Sequence, residues 1–419
     1  MGGLMGRLRD PRVRGLLYPA VIILALIFKV LLSMVAVASY DFRTTVQLAL
    51  RPPEPHFTSP WTTLLRLIYL GWDRLSPGKV DLGSWITGRA VPILNSNFLS
   101  LVFLLKLPII ILDLACGYLI YLLALEMLGE GWGLKSYALW MANPYVILMG
   151  EMDGSNDLLP ILFILITLLL YARGKRYSCS IPLWAGISTK FYPLFIGIVL
   201  AVLSRREGKV REALAYIGAS AAGLATYFYL VGGWSLRSIS SLIYYTPVTF
   251  LVSEIVLTSK TVNVGLATAT LCVFLYLIHR FLRGGRDTAL NSTLSLLMAY
   301  SAFLNWFPPY LMAAIPLLTL KGVKDKGWLR SMAYWLLTAF LIQILTLDLV
   351  TKNSLFYVYN HGAWMEKASS TLHNISGDTT VTWVVKPSLR SIFAALSLFY
   401  AAKLLAPGSP TSTPEAEEK

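Results

Sequence analysis

Long apolar runs recur from Leu16 to Leu405, and no polar block between them is long enough to fold by itself. About 20 apolar residues, coiled at ~1.5 Å each, match the ~30 Å hydrocarbon thickness of a bilayer. In lipid each segment has to satisfy its own backbone hydrogen bonds, so such a chain folds as α-helices. Composition agrees: 56% of the 419 residues are apolar and 14% are charged, against about 25% charged in a soluble domain. Mean hydropathy is +0.62. The expected fold is all-α, a polytopic transmembrane bundle of about 10–12 membrane segments. It reads as one domain over residues 1–405, with a polar, Pro-rich tail at 406–419 that reads as disordered.

The formal charge is +14. Lysines and arginines stand in short clusters between apolar runs, which marks cytoplasmic loops and not a nucleic-acid surface. Full spans read at 16–38, 98–123, 213–231, 262–281, 328–349 and 388–405. Shorter runs pair as 136–149 with 158–171, 181–188 with 191–203, and 293–307 with 310–320. Basic residues flank the middle pair on both sides (Arg173, Lys175, Arg176; then Arg205, Arg206, Lys209, Arg211). That pair is therefore expected to form a re-entrant hairpin turning near Lys190 and Pro193.

The N-terminus and basic loops then face the cytoplasm. The outer side receives the long loop 39–97, the acidic turn 151–157, the hairpin tip and the loop 350–387. Apolar, aromatic stretches at 61–72 and 82–94 suit helices lying in the membrane interface. The basic start precedes an apolar run longer than the ~7 to 15 residues of a signal-peptide core, so it reads as a retained first span. The expected location is a cell membrane, or the ER membrane in a eukaryote. Cys116, Cys179 and Cys272 lack CxxC spacing and the four histidines are scattered, so neither a disulfide framework nor a zinc site is indicated. A divalent metal is compatible with the sequence without being required by it. Neither GxGxxG nor GxxxxGK[ST] occurs, which disfavours a nucleotide site.

Ionisable residues at membrane depth are the candidates for chemistry. Asp41 follows the first span at the outer interface, in Ser39-Tyr40-Asp41-Phe42-Arg43, where a carboxylate suits a general base; a solvated helix-end acid is the plainer reading. Glu151, Asp153 and Asp157 sit between two runs of about 14 residues, each ~21 Å as helix and too short for a bilayer. The turn is expected to dip below the outer surface, where acids need sugar hydroxyls, a metal or a polar pocket. An ordinary turn in water, with Gly154, Ser155 and Asn156 as turn residues, is the alternative.

Lys106 and Asp113 share a helix face about 10.5 Å apart, too far to pair with each other. Lys106 is placed to meet a phosphate, and Asp113 to pair with another buried polar group. Lys190, followed by Tyr192 and Pro193 at the hairpin tip, is the stronger phosphate candidate, with snorkelling as its alternative. His56 and His361 fall in outer loops, in reach of a substrate or simply solvated. Trp61, Trp72, Trp140, Trp234, Trp306 and Trp328 read as interfacial anchors.

The order of these features is distinctive. After the first span and its acid come Lys106-Leu107-Pro108 with Asp113, Ala142-Asn143-Pro144, and Gly154-Ser155-Asn156-Asp157-Leu158-Leu159-Pro160. Ala185-Gly186 then leads to Lys190-Phe191-Tyr192-Pro193, and Asn305-Trp306-Phe307-Pro308-Pro309-Tyr310 follows. This order resembles the GT-C superfamily of membrane glycosyltransferases, in particular polyprenyl- or dolichyl-phosphate-mannose-dependent mannosyltransferases related to the GPI-anchor first mannosyltransferase and to bacterial and archaeal α-mannosyltransferases.

The resemblance implies a donor sugar, mannose, carried on a polyprenyl or dolichyl phosphate, and a glycan or glycolipid acceptor on the outer side. It implies Asp41 as the catalytic base of an inverting transfer. Asp157 or Asp153 would be the second acid, the Asn-Asp-Leu-Leu-Pro context favouring Asp157. Lys190, Tyr192, Lys106 and His361 would line the donor and substrate site. The paired DxD of the GPI-type enzymes is absent, since Arg43 stands two positions after Asp41, so Arg43 becomes a phosphate candidate. The rival expectation is a transporter or lipid flippase, which calls for repeated halves and broken helices meeting at midplane.

Overall fold

The computed structural model describes residues 11–35, 40–50, 60–76, 96–232, 289–303, 311–346 and 386–405. Every regular element among them is helical. Among the described residues, three helices are long and apolar enough to cross a membrane: Leu16–Met34, Ser96–Leu128 and Val210–Leu230. The expected span at 262–281 and the stretch at 82–94 lie outside the described residues.

The first helix, α1 (Pro11–Val35), is followed by α2 (Tyr40–Leu50) and α3 (Pro60–Leu75) within the expected outer loop. Helix α4 (Ser96–Leu128) carries Pro108 inside it and packs on α1, on α5 (Gly133–Met141) and on α7 (Leu158–Ala172). Helix α8 (Ser180–Thr189) lies between α7 and α10 (Val210–Gly232), and α9 (Leu194–Arg206) packs on α10. Beyond them α11 (Ala289–Phe303) touches α9 and α14 (Lys386–Leu405). Helix α13 (Lys326–Thr346) packs on α14 and on α12 (Ile315–Lys324), and α12 returns to α4 and α5.

Small residues allow these close approaches, as expected where lipid gives helices little hydrophobic drive to associate. A Cβ on Gly223 of α10 would stand 2.7 Å from Ile187 Cβ and 3.0 Å from the Trp184 carbonyl oxygen of α8. The outward faces stay apolar: Ile23, Leu24, Ile27, Phe28 and Leu31 of α1 are exposed, as are Leu214, Ile217 and Tyr229 of α10.

The run at 136–149 is two pieces. Asn143 ends the approach from α5 and caps a short α6 (Pro144–Ile147), its Oδ1 accepting from Tyr145 N at 2.9 Å and Val146 N at 3.4 Å. Asn followed by Pro at the first helical position is a helix-start signal, and Pro144 has no N–H to leave unsatisfied. A π-helical turn, Leu148–Met152, follows directly, so Glu151 belongs to this wound segment and the irregular turn begins at Asp153.

Ion pairs define the two ends of the bundle. At one end Arg173 meets Glu126 at 3.5 Å, and Arg176 meets Glu207 at 2.7 Å and Glu212 at 3.6 Å. The Lys209 ammonium, which donates to Glu207 at 2.7 Å, and then Arg176 hold the Glu207 carboxyl below the usual carboxylate range. At the other end Lys190 meets Asp157 at 2.8 Å. Basic turns and acidic turn thus occupy opposite ends, the arrangement expected of inner and outer faces.

Candidate functional site

Two connected polar clusters fill the acidic end. The first is entirely buried. Lys29 of α1 reaches Asp113 Oδ2 of α4 at 2.6 Å and stands 3.5 Å from Glu151 Oε1. Trp140 Nε1 of α5 donates to Asp113 Oδ1 at 2.9 Å. Asp113 therefore has the buried partner that its position requires, and the two spans are locked at one depth. Trp140, expected as an interfacial anchor, is a fully buried donor instead. It fits because an indole inside the bundle has to place its N–H on an acceptor. Trp61 and Trp72 are likewise in the core.

Glu151 is fully buried, and neither of its carboxylate oxygens accepts a hydrogen bond among the described residues. Two carboxylates thus face the one ammonium of Lys29. A second cation stands close by: Lys106 Nζ donates to the Glu151 main-chain oxygen at 2.7 Å and lies 5.0 Å from the centroid of the Phe42 ring. Lys106, expected to meet a phosphate, is fully buried with these partners and holds the π-helical turn against α2.

The second cluster is built on Asp157. Its Oδ2 accepts from Ser155 Oγ at 2.6 Å, and its Oδ1 accepts from Lys190 Nζ at 2.8 Å and from Tyr192 OH at 3.4 Å. Tyr192 OH also donates to the Asp157 carbonyl at 3.2 Å. Lys190 leaves α8 in extended backbone, and Pro193 starts α9 three residues later, so the chain reverses at this tip. Asp157 is buried and its carboxylate is engaged on both oxygens, whereas the Lys190 side chain keeps 21% exposure. Of the three acids in this segment only Asp153 is partly exposed. The alternative of an ordinary turn in water does not hold for Glu151 or Asp157.

Phe42 joins the clusters to the helix that bears Asp41. Gly154 turns with φ +71°, and a Cβ there would stand 2.7 Å from the Phe42 ring. Glycine is required twice over, by the left-handed backbone and by the aromatic against it. The backbone places Asp41 and Arg43 on either side of Phe42 in the first turn of α2. Their side chains, and the whole of His56 and His361, lie outside the described residues. No group of three metal-ligating side chains occurs among the described residues.

A scan against protein-family models finds no match, and no curated protein or solved structure matches the chain. The resemblance to the GT-C superfamily is one of motif order.

Lys190, Tyr192 and Asp157 were expected in one site only through the family resemblance, with Lys190 facing a phosphate; here Lys190 and Tyr192 meet Asp157 itself. Sequence reasoning did not foresee the Lys29, Glu151 and Trp140 connections. Lys29 in the first span and Asp113 in the second are lone charges at membrane depth, and that was the available signal.

Proposed function

We propose that this chain is a multi-pass membrane glycosyltransferase of GT-C type, moving a sugar, mannose by family resemblance, from a polyprenyl- or dolichyl-phosphate donor to a glycan or glycolipid acceptor on the outer side. The observation that carries the reading is the convergence at one end of the bundle of the Asp41-bearing turn of α2, the acidic segment 151–157 and Lys190, joined through Phe42.

In this reading Asp41 removes the proton from the acceptor hydroxyl as its oxygen attacks the anomeric carbon and the bond to the lipid phosphate breaks on the opposite face. The sugar passes through an oxocarbenium-like state, which a nearby carboxylate stabilises. Asp153 fits that second acidic role better than Asp157, because Asp153 is partly exposed whereas Asp157 is buried. Lys190, with Arg43 as the other candidate, offsets the charge on the departing phosphate, and Lys106 positions the turn.

A transporter or flippase is the second reading, favoured by the fully buried Lys29, Asp113 and Glu151 charges inside the bundle. The two readings separate in liposomes containing purified protein. The enzyme transfers labelled mannose from polyprenyl-phosphate-mannose to extracted lipid acceptors. Movement of labelled lipid between leaflets, without a new glycosidic bond, would favour the transporter.

A further inference from the structure

At the opposite end of the bundle two lysines share one indole. Lys321 Nζ of α12 lies 5.7 Å and Lys403 Nζ of α14 lies 5.2 Å from the centroid of Trp328 on α13. Trp328 is buried beneath them, and Lys321 also donates to Asn291 Oδ1 of α11 at 3.1 Å. Four helices thus converge on this spot.

Its depth follows from neighbouring contacts. Tyr300, late in α11, packs against Phe191 and Phe195 beside the Lys190 tip, so Asn291, early in α11, sits toward the end that holds Arg205 and Arg206. Ser295 of α11 donates to the Ala401 carbonyl of α14 at 2.9 Å, which brings Lys403 to that same end.

Neither lysine forms an ion pair among the described residues; Asp325 directs its Oδ1 to Gly327 N at 2.7 Å. Two ammonium groups over one ring make the spot cationic, which favours an anion there. Below Lys403 the same face of α14 is apolar and open: Phe399, four residues back, is 60% exposed, and Ile392, seven further back, is 51% exposed. A paired cation at the membrane surface above a continuous apolar stripe matches an anionic headgroup with an acyl chain below it. A free phosphate would need only the cations.

We propose that Lys321, Lys403 and Trp328 bind the phosphate of an anionic glycerophospholipid in the leaflet at the basic end, with its acyl chain lying along Phe399 and Ile392. The site is independent of the proposed transfer chemistry, being at the other end of the bundle.

The test is native mass spectrometry of the full chain released from micelles after titration with phosphatidylglycerol, phosphatidylcholine or inorganic phosphate. Wild type is expected to retain one phosphatidylglycerol in preference to phosphatidylcholine. Lys321→Gln with Lys403→Gln lowers its apparent affinity roughly 30-fold. Lys321→Arg with Lys403→Arg restores it, which separates lost charge from lost folding. Lys175→Gln, at an exposed lysine of the same end, leaves it unchanged. Phe399→Ser weakens lipid retention. Equal retention by the double Gln variant, or an equal loss in Lys175→Gln, overturns the site. Inorganic phosphate binding that accounts for all retention, with Phe399→Ser silent, overturns the lipid assignment.

Discussion

Asp113 lies inside a helix whose apolar surroundings leave an ionised carboxylate nowhere to go but to Lys29 and Trp140. Removing one partner of a buried pair strands the other charge, which costs about 3–5 kcal/mol. Lys29→Met, which leaves Asp113 and Glu151 without a cation, is therefore expected to destabilise the protein on that scale, and Asp113→Leu less, because Glu151 still faces Lys29. Thermal unfolding in a fixed detergent checks both; a single variant as stable as wild type would remove the pair from the fold's supports. At Gly154 the expected effect of Ala is about 1–2 kcal/mol of backbone strain plus the clash with Phe42. Phe42→Ala should relieve the clash and leave the strain, so the double variant falls between Gly154→Ala alone and the sum of both losses.

Among the elements, helix positions were legible because length and apolar content specify them. Ser96–Leu128 and Val210–Gly232 each contain an expected span, and Pro11–Val35 covers 16–35 of the expected 16–38, the rest lying outside the described residues. The break at Asn143 was visible as an Asn-Pro signal, although the reading carried one helical run through it. The pairing of Lys29 with Asp113 was not legible, because it depends on which faces two helices 84 residues apart turn toward each other. Trp140 misled for a related reason: tryptophan near the end of an apolar run suggests an interface until a neighbouring helix covers it.

The tip between α8 and α9 was foreseen from the two basic loops around it. Its role is open to test. Lys190→Ala is expected to raise the apparent KM for the lipid-phosphate donor more than that for the acceptor, with Lys190→Arg retaining donor use. An equal rise for both substrates would mean that Lys190 acts only through its bond to Asp157.

At the scale of the whole molecule, the proposed function requires the basic turns and the Asp157–Lys190 cluster to face opposite sides of a membrane. Asp73 is exposed on α3, which packs beside α2 near the acidic segment, and Lys175 is exposed at the basic end. With the three native cysteines replaced by alanine, Asp73→Cys is expected to react with an impermeant maleimide in intact cells and Lys175→Cys only after permeabilisation. Both reacting from one side would invert or abolish the topology on which an outward-facing site depends.

The central claim is that the acidic end performs glycosyl transfer with Asp41 as base. The most direct measurement compares transfer of labelled mannose from polyprenyl-phosphate-mannose by wild-type and Asp41→Asn protein, both purified, monodisperse and reconstituted in liposomes with the same acceptor pool. The account predicts donor-dependent product from the wild type and a loss of about 100-fold or more in the variant, the scale of a missing general base. Product formed by Asp41→Asn at the wild-type rate would contradict it.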